Sequence, residues 1–170
     1  MARNVEIKAR IEGLGEIESR VRKIADDGPF DLAQDDTFFA SPRGRLKLRE
    51  LVPDRGELIF YLRQDVSGPK LSQYSIVRTS EPAELRRTLD QALGIAGRVR
   101  KRRRVYLIEN TRVHLDEVEG LGTFVELEVV LSETQTVQEG EVIARRLMAQ
   151  LGILETSLVE GAYLDLITAQ

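Results

Sequence analysis

The sequence predicts an α+β protein in which a meandering antiparallel sheet dominates and two or three helices are inserted. Three observations support this fold class. Short segments that alternate apolar and charged residues recur along the chain, as strands with one packed face do. Combinations of glycine, proline and aspartate separate most of these segments. Apolar residues at helical spacing are confined to a few stretches. The chain has 170 residues, so we expect residues 1–170 to form a single domain.

The first half of the chain is predicted to contain five strands and one helix. Residues 5–11 alternate as a strand, and Leu14 to Ala25 show helical spacing that ends near Gly28-Pro29. A turn is expected at Pro53 to Gly56, where proline, aspartate and glycine cluster. Further strands are predicted over residues 34–40, 45–50, 57–65 and 73–78.

The second half is predicted to contain two long helices around the most basic stretch of the chain. Ser80 is the expected N-cap of a helix that Gly94 ends, and a second helix is expected over 138–151. Between them lie a basic strand over 101–107 and a hairpin over 113–131, followed near the C-terminus by a short amphipathic turn or helix.

Most predicted strands carry charged residues on one face and apolar residues on the other. The simplest interpretation is a sheet with one solvated face. However, the charged positions are nearly all Arg, Lys, Glu or Asp, and two segments carry one sign only: 45–49 is wholly basic and 126–128 wholly acidic. This favours a sheet that curls until its charged faces surround a lumen. The sets that share a face are Glu6/Lys8/Arg10, Arg45/Lys47/Arg49, Lys101/Arg103, Arg112/His114/Asp116 and Glu126/Glu128.

A lumen with charges of both signs needs ligands, because a charge held away from water costs several kcal/mol unless it is paired. Carboxylates bind hard cations such as Mg²⁺ or Mn²⁺, and arginine and lysine bind phosphate oxygens. The pattern therefore indicates a metal-bound polyphosphate. A nucleic-acid patch at 98–104 is disfavoured, since only half of a strand's side chains reach one surface and aromatic residues for base stacking are scarce.

Composition excludes several other kinds of site. The chain has no cysteine, which excludes disulfides, thiol nucleophiles and thiolate metal sites. Its N-terminus has no apolar signal region, and no run approaches the roughly 20 apolar residues of a membrane helix. We expect a cytoplasmic protein without a membrane partner. The net charge is only −3, so any anion site must come from local clustering.

These residues resemble the motifs of the CYTH superfamily, the triphosphate tunnel metalloenzymes, which include class IV adenylate cyclases and thiamine triphosphatases. The family's E-x-E-x-K strand reads Asn4-Val5-Glu6-Ile7-Lys8, with Asn4 in place of the first glutamate. Residues 45–50 match the basic strand that ends in L-R-E, and Lys101 to Tyr106 match K-x-R-x-x-Y. Asp116 to Glu126 match D-x-x-x-G-L-G-x-F-x-E, and Tyr163 matches the C-terminal tyrosine.

The resemblance implies a closed antiparallel barrel of about eight strands, with helices on the outside and a tunnel that holds Mg²⁺ or Mn²⁺ and a triphosphate. It implies metal binding by Glu6, Asp116, Glu126 and Glu128, and catalytic roles for Lys8, Arg49, Lys101 and Asp116. It implies phosphate binding by Lys8, Arg45, Lys47, Arg49, Arg63, Lys101, Arg103 and Arg112.

Several functions stay open at this stage. A class IV cyclase would convert ATP to cyclic AMP and pyrophosphate, whereas a triphosphatase would hydrolyse tripolyphosphate, thiamine triphosphate or a nucleoside triphosphate. Asn4 motivates a third alternative, a non-catalytic polyphosphate-binding module. His114 is either a hydrogen-bonded structural residue or a proton carrier, and Tyr163 either packs or closes one end of the tunnel. A homodimer is also left open.

Overall fold

The computed structural model describes residues 1–52 and 54–169, and the predicted turn residue Pro53 lies outside them. The described residues form a closed barrel of eight antiparallel strands with helices around it. The strands are β1 Ala2–Ile11, β2 Asp27–Phe39, β3 Arg45–Val52, β4 Arg55–Arg63, β5 Lys70–Thr79, β6 Ile95–Ile108, β7 Thr111–Val118 and β8 Gly122–Val130. The helices are α1 Gly15–Arg22, α2 Pro82–Leu93, α3 Val137–Leu151 and α4 Tyr163–Thr168, with a 3-10 turn at Glu155–Ser157.

The barrel closes through β1, which pairs with β5 on one side and with β8 on the other. Around the barrel the order is β1-β5-β4-β3-β2-β6-β7-β8. The register of β1 on β8 places Glu6 opposite Glu128 and Lys8 opposite Glu126, and that of β7 places His114 opposite Glu126. Directly opposed residues point to the same face of a sheet, so the charged sets meet inside. The predicted closed barrel is confirmed.

The main hydrophobic core lies outside the barrel wall, beneath α1 and α3. Ile7, Val125 and Leu127 point outward from β1 and β8 and are buried against Leu147 and Leu151 of α3. These side chains alternate with the charged residues of the same strands, which explains why each strand has one apolar face. Helix α3 begins at a Thr136–Glu139 capping box and ends at Gly152, in left-handed conformation at φ 71°.

A second cluster closes one end of the barrel. Tyr163, at the start of α4, packs edge-to-face on Phe124 with ring centroids 4.9 Å apart, among Phe38 and Val99. At the opposite end the lining residues Phe30 and Ile76 are each 46% exposed, so the barrel is a tunnel with one covered and one open mouth. Among the described residues, no helix is long and apolar enough to cross a membrane.

Several sequence-based boundaries are wrong, including the start of β6, which lies at Ile95 and not at Lys101. The helix α1 ends at Arg22, and Gly28-Pro29 lie inside β2, which begins at Asp27 instead of Gln34. Pairing with β6, which is distant in sequence, extends β2 as far as Asp27, and the register is irregular between Asp27 and Phe30. The glycine and proline at this point had indicated that the strand is interrupted there. Helix α2 is capped at Glu81 without a side-chain hydrogen bond, so the predicted capping by Ser80 is also wrong.

Candidate functional site

The tunnel concentrates positive charge inside a chain whose net charge is negative. It encloses about 520 Å³, which lies within the range of small-molecule sites. Of the described side chains, eight basic and five acidic ones line it, although the whole chain carries a net charge of −3. The basic lining residues are Lys8, Lys47, Arg49, Arg63, Arg78, Lys101, Arg103 and Arg112, and the acidic ones are Glu6, Asp36, Glu57, Glu126 and Glu128.

Asp36 is the counter-ion of one basic group. It is 1% exposed and accepts hydrogen bonds from Lys47 Nζ at 2.7 Å and from Arg49 Nε and Nη2 at 2.8 and 3.0 Å. Burial opposes its ionisation, but Arg49 and Lys47 outweigh burial and hold the pKa of Asp36 well below its usual range. Sequence reasoning missed this residue. Side-chain alternation places Asp36 on the same face of β2 as Gln34 and Phe38, whereas the other charged residues of the strand lie on the opposite face. This alternation was the one clue in the sequence that Asp36 faces the tunnel.

Asp116 is the centre of a second group at the covered end. Arg103 donates to both of its carboxylate oxygens, at 2.7 and 2.6 Å, and the Tyr163 hydroxyl donates to Oδ2 at 2.8 Å. Lys101 Nζ lies 3.6 Å from the same oxygen. Burial, together with the Arg103 guanidinium, lowers the pKa of Lys101 to about 7. Protein donors therefore already occupy both oxygens of Asp116.

His114, Glu126 and Glu128 form a third group, in which one ligand atom from each residue lies within 4.8 Å of the others. Glu126 Oε2 accepts from Arg103 at 2.6 Å, and Lys8 Nζ lies 3.4 Å from Oε1. Burial alone would raise the pKa of Glu126, but Arg103 and Lys8 lower it well below its usual range. The two carboxylates at this spacing fit a hard divalent cation such as Mg²⁺ or Mn²⁺.

The structure brings nearly all of the sequence-predicted site residues to the tunnel. Glu6 lies on the tunnel wall and forms an ion pair with Arg63. Two predicted residues are not part of the lining. Arg45 lies at the end of its strand and pairs with Asp65 and Asp165, whereas Asp116 lies behind Arg103.

Tyr163 combines the two roles considered from sequence. Its ring packs on Phe124 and also lies beneath two lysines, with Lys8 Nζ 3.9 Å and Lys101 Nζ 4.8 Å from the ring centroid. Lys8 Nζ further donates to the Gly161 carbonyl at 3.2 Å. Such cation–π contacts hold both ammonium groups at the covered end of the tunnel.

The open mouth differs in character, because apolar side chains surround it. Phe30, Leu32 and Ile76 line the tunnel and are 46%, 37% and 46% exposed. Beside them Arg112 Nη2 donates to the Tyr74 hydroxyl at 3.4 Å. We call Phe30, Leu32 and Ile76 the apolar mouth. Sequence reasoning identified no such surface, since these residues lie on strands that are distant in sequence.

Comparison with known proteins identifies the family. Residues 2–163 match the CYTH domain. The chain belongs to the CYTH family. A Methanocaldococcus jannaschii protein that carries the provisional name adenylate cyclase is 25% identical over 176 residues, which span 95% of this chain and 97% of that protein. The resemblance seen in the motifs is confirmed, and CYTH proteins are triphosphate-binding, typically metal-dependent and commonly enzymes.

Solved structures confirm the fold. A Pyrococcus horikoshii protein superposes with a TM-score of 0.86 at 22% identity and covers 96% of this chain and 99% of its own. A Hippeastrum protein, provisionally named an adenylyl cyclase and described as having a dominant triphosphatase activity, superposes with a TM-score of 0.65 at 16% identity and covers 98% and 95%. At these identities the likeness bears on the barrel alone.

Proposed function

We propose that this CYTH protein is a divalent-metal-dependent enzyme that acts on a triphosphate in its tunnel, and that it is a class IV adenylate cyclase-like enzyme acting on ATP. The excess of basic over acidic side chains in the tunnel carries the proposal. A polyanion is the ligand that satisfies this excess, because guanidinium and ammonium groups bind phosphate oxygens through charge-assisted hydrogen bonds.

The phosphate chain would lie along the basic side chains of the tunnel wall. Lys47 and Arg49, now held by Asp36, and Arg103, now shared by Asp116 and Glu126, converge on the lumen from different strands. A bound triphosphate would offer these cations oxygens in addition to, or in place of, the carboxylates. Lys8, Lys101, Arg63 and Arg112 would complete the set, and Arg45 would act from the end of its strand.

The acidic wall would hold the divalent cation. Glu126 and Glu128 face the lumen on one strand, and Glu6 faces it from the neighbouring strand. A bound Mg²⁺ or Mn²⁺ would supply positive charge between this wall and the phosphates. We assign Asp116 a positioning role, since its oxygens fix Arg103 and the Tyr163 hydroxyl at the covered end.

The apolar mouth favours a triphosphate with an organic group, and therefore ATP over tripolyphosphate. Partly exposed phenylalanine, leucine and isoleucine side chains beside a charged cavity lose water-exposed apolar area when a base or sugar covers them. In the cyclase reaction the ribose 3′-oxygen forms a bond to the α-phosphorus and the bond to the bridging oxygen breaks. Pyrophosphate leaves, and the hydroxyl proton is released.

The alternative function is that of a triphosphatase, in which water attacks the terminal phosphorus and orthophosphate leaves. The Hippeastrum protein, described as having a dominant triphosphatase activity, is a precedent for this reaction on the same barrel. The basic groups would hold tripolyphosphate and ATP in the same way, so the tunnel wall itself does not separate the two reactions. The single-domain organisation of residues 1–170, a cytoplasmic location and a homodimer stay predictions.

The test is to incubate the purified protein with ATP, tripolyphosphate or thiamine triphosphate, each with Mg²⁺ or Mn²⁺, and to identify the products. Cyclic AMP and pyrophosphate would support the cyclase, and orthophosphate alone would support the triphosphatase. Binding without turnover would leave the non-catalytic module. Glu126→Gln is the control for contaminating activity, because it removes a charge from the proposed metal site.

A further inference from the structure

His114, the only histidine of the chain, has an imidazole with an unused nitrogen inside the tunnel. The residue is 4% exposed, and its Nδ1 atom is buried without a hydrogen-bond partner among the described residues. Nδ1 lies 3.5 Å from Glu126 Oε2, and Nε2 lies 3.9 Å from Glu128 Oε2. A buried nitrogen that makes no hydrogen bond is costly, so its position beside two carboxylates calls for a ligand.

Each of the two carboxylates is also paired with a guanidinium or ammonium group. Arg103 donates to Glu126 at 2.6 Å, and Lys8 lies 3.4 Å from it. Arg112 Nε donates to Glu128 at 2.8 Å. Because guanidinium and ammonium groups already pair with both acids, the unpaired Nδ1 atom of the imidazole on the same face is available as a third metal ligand.

Asn4 provides a second, independent observation on the same wall. Its Oδ1 atom is also buried without a partner among the described residues, and the side chain is 2% exposed. Asn4 shares a face with Glu6 and lies opposite Val130, two residues from Glu128. An amide oxygen binds divalent cations but carries no charge. With Asn4 in place of a carboxylate, this wall offers a metal one charged oxygen fewer. His114 Nδ1 adds a nitrogen to the same wall.

We propose that His114 is a nitrogen ligand of the metal in this chain, together with Glu126 and Glu128, and that the site therefore prefers Mn²⁺ to Mg²⁺. Mg²⁺ is hard, keeps oxygen ligands and dehydrates reluctantly. Mn²⁺ shares the preference for oxygen, but as a first-row transition metal it also accepts an imidazole nitrogen, although less strongly than Fe²⁺, Ni²⁺ or Zn²⁺ do. The inference deepens the proposed function by specifying its metal. It does not depend on the triphosphate, because all three ligands belong to the chain itself.

The single histidine makes a direct spectroscopic test feasible. Mn²⁺ is added to the full-length protein, with and without tripolyphosphate, and electron spin-echo envelope modulation is recorded on natural-abundance and ¹⁵N-histidine-labelled samples. We expect a directly bound nitrogen in both conditions, with a coupling that changes from the ¹⁴N to the ¹⁵N pattern on labelling. Failure of Mn²⁺ to bind, or binding without nitrogen coupling, would overturn the inference.

The same spectra separate this inference from the proposed function. A ³¹P coupling in the tripolyphosphate sample reports that phosphate reaches the metal, whereas the nitrogen coupling reports His114 alone. A nitrogen signal without a phosphorus signal would therefore support the ligand assignment and contradict the triphosphate site.

Two variants test the metal preference by calorimetric titration. His114→Gln should lower Mn²⁺ affinity by about tenfold or more and change Mg²⁺ affinity much less, because the lost ligand is a nitrogen. Glu128→Gln is the matched control, since it removes an oxygen ligand and should weaken both metals by similar factors. Equal losses of Mn²⁺ and Mg²⁺ affinity in His114→Gln would contradict the proposed preference.

Discussion

Asp36→Asn should destabilise the free protein and at the same time strengthen its binding of triphosphate. The carboxylate is almost fully buried and accepts three hydrogen bonds from Lys47 and Arg49, whose side chains are only 13% exposed. Removing one partner of a buried ion pair typically costs about 3–5 kcal/mol. Because water in the tunnel can still reach the two cations, we expect a loss near the lower limit, about 3 kcal/mol in the free energy of unfolding.

A loss of this size corresponds to a melting temperature lower by about 6–12 °C in a domain of this length. In the variant, Lys47 and Arg49 no longer donate to a carboxylate, so both cations are free to bind phosphate oxygens. Tripolyphosphate should therefore bind the variant more tightly and raise its melting temperature more than that of the wild type. Differential scanning calorimetry with and without tripolyphosphate measures both effects.

Asp35→Asn is the matched control, one residue away on the same strand. Asp35 faces outward and pairs with Arg98 and Arg100, whose side chains are 42% and 53% exposed. Surface ion pairs contribute about 0–1 kcal/mol, so this variant should melt close to the wild type and bind tripolyphosphate equally well. If Asp36→Asn were as stable as Asp35→Asn, or bound tripolyphosphate no better than the wild type, Asp36 would not be the internal counter-ion described above.

Two further predictions concern protonation and the organic group. The pKa of Lys101, about 7 in the free protein, lies below the usual lysine value, so this lysine loses its proton as the pH rises through 7. A bound triphosphate favours the ammonium form of Lys101, so binding at pH 8.5 should be accompanied by proton uptake. Calorimetry without metal, in buffers of different ionisation enthalpy, should show nearly one more proton taken up by the wild type than by Lys101→Met. Equal proton uptake by the two proteins would contradict protonation of Lys101 on binding. Ile76→Ser should weaken ATP binding by about 3–10-fold without affecting tripolyphosphate, because apolar contact is lost only with the base or sugar. The outward Val77→Ser is its control, and equal effects of Ile76→Ser on both ligands would exclude the mouth from binding the organic group.

Much of the barrel could be predicted because side-chain alternation is a local property. The charged face of 6–10 and that of 126–128 follow from a period of two, and the register then places Lys8 opposite Glu126. The start of β2 at Asp27 could not be predicted, because pairing with β6, distant in sequence, decides it. The local signals of Gly28-Pro29 indicated the opposite.

The site was predictable where several charges share one strand and was missed where single residues converge from different strands. Asp36 lies between apolar and polar neighbours on β2 and becomes a site residue only through β3, which brings Lys47 and Arg49 to it. The apolar mouth likewise combines Phe30 and Leu32 of β2 with Ile76 of β5. Conversely, Asp116 lies on the predicted face, yet Arg103 and Tyr163 occupy its oxygens, which only the three-dimensional arrangement reveals.

The most direct test of triphosphate binding inside the barrel compares two adjacent arginines on opposite faces of β6. Arg103 is buried in the tunnel, whereas Arg102 is exposed on the outside. Isothermal titration of tripolyphosphate should show about 10–100-fold weaker binding to Arg103→Gln, the loss expected for a charge-assisted hydrogen bond, and little change for Arg102→Gln. Thermal melts of both variants verify that they are folded. Equal affinity of the two variants, or a larger loss in Arg102→Gln, would contradict a triphosphate site in the tunnel.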